Sequence, residues 1–284
     1  IPSGKKRRRR YSVAAELHDS VVMLKRRLIP VLFLQNGLMV RSEGFVEHQV
    51  IGHPVSHVER LVQWDVDELI ILDISRAKDA YAIRRDDHKL KGSENLLQFI
   101  GKIAETCGVP LSFGGQVRNE EDVRTRILYG ADKVIMNTVM SESPEVIDRC
   151  AHIFGSQAIV VSVDYRIVDG RASVFTHYGS TDTSATPSDW ARRAESLGAG
   201  EIFLNAVDRD GAARGYDIDT INAVVDAVEI PVIACGGAGH VSHFRKCFTE
   251  TEASAVAAGN IFHFTENAYP RAKTNLRNVI HDIR

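Results

Sequence analysis

Short apolar runs closed by glycine or an acid alternate along this chain with stretches whose apolar residues recur every three or four positions. Leu28–Leu34 (LIPVLFL) is the first such run, followed by the turn Asn36-Gly37 and a β-like pair at Leu38–Val40. Runs this short and apolar read as strands covered on both faces, and the longer periodic stretches as amphipathic helices. The pattern repeats as Glu68–Ile74, Pro110–Gly115, Lys133–Thr138, Ala158–Asp164, Glu201–Gly211, Pro231–Gly236 and Ala253–Gly259. Helical spacing falls between them, at Pro54 onward, Asn95–Thr106, Glu120–Tyr129, Pro144–Phe154, Pro187–Leu197, Asp219–Val228 and Val241–Phe248. Arg41–Gly52 shows neither period and reads as a mobile loop. Asp169-Gly170 marks a hairpin-like excursion after the fifth strand.

Eight strand–helix units of parallel character predict an α/β fold, a (β/α)8 TIM barrel. A doubly wound sheet is the alternative, but it rarely needs eight consecutive buried strands. An internal repeat supports closure: Pro110, Gly115, Gly130-Ala131 and Thr138 align at one constant offset with Pro231, Gly236, Thr251-Glu252 and Gly259. Two half-barrel copies would give that pattern. The offset changes towards the N-terminus because Ser75–Gly92, rich in arginine and lysine, is an insertion in the first half.

Composition adjusts this picture little. The chain has 284 residues, 44% hydrophobic and 25% charged, which suits one barrel domain over residues 23–284. A net charge of −2 gives no case for nucleic acid or a membrane surface, and no apolar run is long enough to span a bilayer. Four well-separated cysteines favour reduced thiols in a cytoplasmic protein. The histidines show no metal-ligand spacing, and neither metal nor cofactor is expected. Lys5–Arg10 stands apart: residues 1–22 read as a disordered basic extension, whether a functional arm, a vector remnant or an upstream start.

In this architecture chemistry sits at the C-terminal strand ends. Those ends carry Asp73, Gly114-Gly115, Asn137-Thr138, Asp164, Asp208/Asp210-Gly211, Gly236-Gly237 and Gly259-Asn260. Glycines there let an anion approach bare backbone N–H groups, or else simply make βα turns. The repeat would place two phosphate sites on opposite sides of one mouth, suited to a substrate with a phosphate at each end. Asp164 ends an apolar strand, where desolvation suits a carboxyl to acid–base work; a helix N-cap or a partner for Arg166 is the plainer reading.

From Met23 to about Phe264 the chain resembles the synthase (cyclase) subunit of imidazole glycerol phosphate synthase. The resemblance rests on IPVL at 29, DELIILDI at 67, GADKVIMNT at 130, FGSQAIVVSVD at 154, GAGEIFLNAVDRDG at 198, IACGGAG at 233 and IFHF at 261. It implies a (β/α)8 barrel with a glutaminase docked on its N-terminal face. It also implies ammonia passage through the core to a bis-phosphate ribonucleotide at the other face. On the family's pattern Arg27, Glu68, Lys133 and Glu201 form an ammonia gate, and Asp132 and Gln157 match partner-facing positions. The substrate site would take in Arg41, Asp73, Gly114, Gly115, Asn137, Thr138, Asn205, Asp210, Gly211, Gly236, Gly237, Gly259 and Asn260.

The same comparison shows departures. The family's strand-five aspartate is Asp164, but its strand-one aspartate is Phe33. Arg41 replaces a lysine, Gln116 the third glycine of a loop, and Asn205 and Ala206 a threonine and a serine. Phenylalanine cannot carry a proton, so the acid–base pair is incomplete. A gate retained beside a broken pair resembles a divergent branch that supplies ammonia to a sugar amidotransferase in making surface polysaccharide. The ordinary histidine-pathway cyclase and a non-catalytic activator of a glutaminase are the other expectations.

Overall fold

The structure, a computed structural model, describes residues 25–76 and 96–284. The basic extension and the Ser75–Gly92 insertion beyond Arg76 lie outside the described residues. Eight parallel strands close a ring: β1 (Arg27–Gln35), β4 (Leu69–Asp73), β5 (Leu111–Gly114), β6 (Lys133–Met136), β7 (Ile159–Val168), β10 (Glu201–Ala206), β11 (Val232–Cys235) and β12 (Ala255–Ala258). β10 pairs with both β7 and β11, and β12 with β1, so the sheet has no free barrel edge. The expected (β/α)8 barrel is the fold.

Side-chain alternation along each strand divides the interior in two. On β1, Leu28, Leu32 and Leu34 face the surrounding helices, whereas Ile29, Val31 and Phe33 fill the lumen. β10 sends Ile202 and Leu204 outward and Phe203 inward, which puts Glu201 and Asn205 on the inward face as well. Period two therefore threads one row of residues from the bottom of the barrel to its mouth.

The half-barrel repeat holds in three dimensions. α3 (Glu120–Leu128) follows β5 as α8 (Val241–Glu250) follows β11, and one-turn helices α4 (Val139–Glu142) and α9 (Ile261–Phe264) follow β6 and β12. Gly115 and Gly236 make the same turn, at φ +106° and +98°; a Cβ there would lie 2.1 Å from Asp73 O and 2.5 Å from Ala206 O. Only glycine fits that approach.

Each half also begins with a long strand that overshoots the ring. β1 continues into an antiparallel ribbon of β2 (Leu38–Glu43) and β3 (Glu47–Gly52), and β7 into β8 (Arg171–Thr176), which pairs with β9 (Thr181–Asp182). The stretch expected as a mobile loop, Arg41–Gly52, is thus mostly paired strand, with Arg41 opposite Gln49 and Ser42 opposite His48. Polar side chains on both faces hide the strand period in the sequence.

A closing helix, α10 (Ala268–Arg277), follows α9 and was not visible in the apolar pattern. Its Tyr269 hydroxyl accepts from Asp67 N at 3.0 Å and donates to Leu28 O at 2.9 Å. Asp67 also accepts from Leu28 N at 3.0 Å and pairs with the buried Lys273 ammonium. This network ties the starts of β1 and β4 to the last helix.

Candidate functional site

At the N-terminal end of the lumen four charges close a ring. Arg27 Nη1 lies 2.5 Å from Glu68 Oε2, and Arg27 Nη2 2.5 Å from Glu201 Oε1. Lys133 Nζ lies 3.1 Å from Glu68 Oε1 and 2.7 Å from Glu201 Oε2. Each cation holds both anions, and Ser112 Oγ adds a bond to Glu68 at 3.0 Å. Burial pulls Arg27 down, but Glu201 and Glu68 outweigh it and leave the guanidinium above its ordinary value. Burial pushes Glu68 up, yet Arg27 and Lys133 hold its carboxyl below the usual range. Both shifts favour the charged forms of Arg27 and Glu68.

Above the ring the lumen is apolar. Ile29, Val31, Ile70, Ile135, Val160, Phe203 and Ile233 line it, with Ala255 and Ala257. The same inward rows that begin at Lys133 and Glu201 end at Asn137 and Asn205. Both side chains donate to Asp164, Asn137 Nδ2 to Oδ2 at 2.7 Å and Asn205 Nδ2 to Oδ1 at 3.1 Å. Ser162 Oγ, also inward on β7, donates to Oδ1 at 3.0 Å. Burial raises the Asp164 pKa, and the Asn205, Ser162 and Asn137 donors pull it back only in part. A carboxyl held by three donors, its pKa raised by burial, is placed to give or take a proton at the mouth.

Asp164 opens into a cavity of about 210 Å³ on the β4–β7 side. Leu72, Asp73, Gly115, Gln116, Asn137, Thr138 and Ile135 line it, with Phe45 at its rim. Asp73 is buried, accepting from Ser75 N at 3.0 Å and from Gln116 Nε2 at 2.9 Å. Three residues with no sequence signal join the lining: Glu142, His177 and Tyr178. His177, Tyr178 and Gly179 are successive left-handed residues (φ 54°, 58° and 75°) that turn β8 back over the mouth. His177 Nε2 meets Glu142 Oε1 at 2.8 Å, His177 N donates to Thr138 Oγ1, and Tyr178 Oη donates to Ser75 O at 3.2 Å. The excursion after Asp169-Gly170 announces the loop that holds His177 and Tyr178, but not these residues, and nothing in the sequence marks Glu142.

Phe33, on β1, faces inward and is 2% exposed. Arg41 lies on β2 with its guanidinium 5.8 Å over the Phe264 ring. Asp210, Gly211, Gly236, Gly237, Gly259 and Asn260 gather on the opposite side of the mouth, at the ends of β10, β11 and β12. Burial raises Asp210 to about 6, against the Ser42 hydroxyl and the Phe45 amide. Asp132 and Gln157 are exposed on the N-terminal face, Asp132 Oδ2 accepting from Leu111 N at 2.8 Å. His57 and His263 pack edge to face with centroids 5.5 Å apart; burial, then His57 and Arg60, lower His263 to about 3. Among the described residues no group of histidine, cysteine, aspartate and glutamate could hold a metal ion. No described helix is long and apolar enough to cross a membrane.

A closed barrel with a charged ring below and a carboxyl-bearing cavity above defines a (β/α)8 protein shaped for chemistry on a small polar molecule. Comparison with known proteins narrows the class. Residues 27–268 match the histidine biosynthesis protein family. The chain is 38% identical over 258 residues to imidazole glycerol phosphate synthase subunit HisF of Alkaliphilus metalliredigens, covering 90% of this chain and 98% of the relative. It is 39% identical over 241 residues to the same-named subunit of Metallosphaera sedula, covering 85% and 91%. The chain belongs to the histidine biosynthesis protein family, as a HisF-like member of the imidazole glycerol phosphate synthase cyclase subunits.

Proposed function

We propose that this chain is the ammonia-conducting synthase subunit of a glutamine amidotransferase pair. One observation carries the reading: a closed ring of two cations and two anions at one end of an apolar lumen whose other end opens beside Asp164. A glutaminase would dock on the N-terminal face around Asp132 and Gln157. Ammonium, charged and hydrated, would meet Arg27 and Lys133 and then an apolar passage, and both disfavour it. Neutral ammonia meets neither penalty. At the mouth its nitrogen adds to a carbonyl carbon of the acceptor, the C=O pair moves to oxygen, and Asp164 relays protons from the nitrogen to that oxygen, which leaves as water. Asn137, Asn205 and Ser162 hold that carboxyl in place. General acid–base help of this kind contributes about 10²–10⁴-fold.

The acceptor divides two readings. Identity of 38–39% to HisF subunits favours the ordinary cyclase reaction on a bis-phosphate ribonucleotide. Phe33 favours a changed acceptor, because the inward position that would carry the second proton-transfer group holds a ring. A surface-polysaccharide sugar, amidated together with a sugar amidotransferase, is the finer form of that second reading.

The test combines the chain with its glutaminase partner and supplies the bis-phosphate ribonucleotide with either glutamine or ammonium salt. The conduit predicts stimulated glutaminase on either reading, and the changed acceptor predicts little cyclisation. Turnover with ammonium salt at rates usual for such cyclases would establish the ordinary reaction, and absence of glutaminase stimulation would overturn the conduit.

A further inference from the structure

The two halves of the mouth share a backbone plan but are not equally open. On the β10–β12 side the β2–β3 turn lies directly on the strand ends. Gly44 N donates to Asp210 O at 2.8 Å, and Asn260 Nδ2 donates to Ser42 O at 2.7 Å. A Cβ on Gly211 would stand 2.9 Å from Ser42 O and 3.0 Å from the Glu43 Cα, so the ribbon fills the face that glycine leaves bare. At the end of β12, a Cβ on Gly259 would stand 3.5 Å from Phe33 Cε2.

Phe33 joins these contacts into one unit. Its ring receives the Phe45 ring edge on, with centroids 5.4 Å apart and planes at 88°. Phe45 sits at the ribbon tip at φ 59°, a left-handed conformation that a bulky residue keeps only where its surroundings demand it. An aspartate at position 33 would offer Phe45 no apolar edge. On the opposite side the cavity beside Asp164 meets the ribbon only through Phe45 at the rim.

We propose that Phe33 and Phe45 determine specificity by clasping the ribbon over the β10–β12 half of the mouth. The barrel then takes an acceptor with a single phosphoryl end, seated on the β4–β7 side, and excludes a second phosphate at Gly211 and Gly259. This rests on the mouth being the acceptor site. A second phosphate there would have to displace Ser42–Gly44, break both ribbon hydrogen bonds and separate the two rings.

Calorimetric titration of the full chain with ribose 5-phosphate and with ribulose 1,5-bisphosphate tests it. The wild-type protein should bind the two within about threefold of each other. Phe45→Ala should raise preference for the bisphosphate about tenfold or more; phosphate pairing with newly freed donors is worth that much. A merely structural role would weaken both ligands alike and leave their ratio constant. Wild-type preference for the bisphosphate of tenfold or more, or an unchanged ratio in a folded Phe45→Ala, overturns the proposal. So does failure of both sugar phosphates to bind, an outcome that leaves glutaminase stimulation, the measure of the conduit, unaffected.

Discussion

Asp164 shows how much a single residue owes to its strand. Its place at the end of an apolar run is plain in the sequence, but the three donors around it come from β7, β10 and the end of β6. Only register brings them together. Asp164→Asn keeps the size of the side chain and removes the titrating group, so acceptor amidation should fall about 10²-fold or more with glutaminase stimulation retained. Full activity in the coupled assay would reduce the barrel to an activator. Asp210 gives a second test, on stability. Its ordinary value is near 4, and in the fold it rises to about 6. Between those values the folded chain holds a proton that the unfolded chain has released. Its contribution is therefore whole below about pH 4 and is lost as pH rises through 6. Asp210→Asn should flatten that slope and gain on the order of 2 kcal/mol at pH 7 relative to wild type, read from denaturant unfolding.

At the scale of elements, the strands and most helices are legible because period two and period 3.6 stay unmixed. Of the ribbon only Leu38–Val40 was, since Glu43, Glu47, His48 and Gln49 leave no apolar face to read. Nor was the turn at His177–Gly179, where left-handed backbone is set by the fold and not by residue type. Helix α10 escaped because its anchor is polar: Tyr269 and Lys273 on Asp67. Tyr269→Phe should cost about 1–3 kcal/mol, by leaving Leu28 O and Asp67 N without their buried partner. The repeated glycines make a paired prediction. Gly115→Ala and Gly236→Ala each force a Cβ against a carbonyl in the left-handed region, and each should destabilise by about 2–4 kcal/mol in thermal unfolding. Alanine tolerated at both positions would mean that the two turns can relax independently of the barrel.

For the whole molecule, Arg27, Glu68, Lys133 and Glu201 were recognisable as a set only through the resemblance, since one charge beside each of four strands is unremarkable locally. Closure of the barrel converts them into a ring. Glu201→Gln leaves Arg27 and Lys133 sharing one anion in a largely buried setting, and should cost about 3 kcal/mol of stability. A loss below half a kcal/mol would show that water reaches the ring freely. Connectivity within the ring has a further consequence. Because each cation grips both anions, no side chain can swing aside alone without leaving like charges face to face. On the conduit reading, opening would then be concerted, with the activation enthalpy of parting several ion pairs at once. Transfer of nitrogen from glutamine should quicken steeply on warming, while the reaction fed by ammonium salt from the solvent, which reaches the mouth without crossing the ring, should quicken far less.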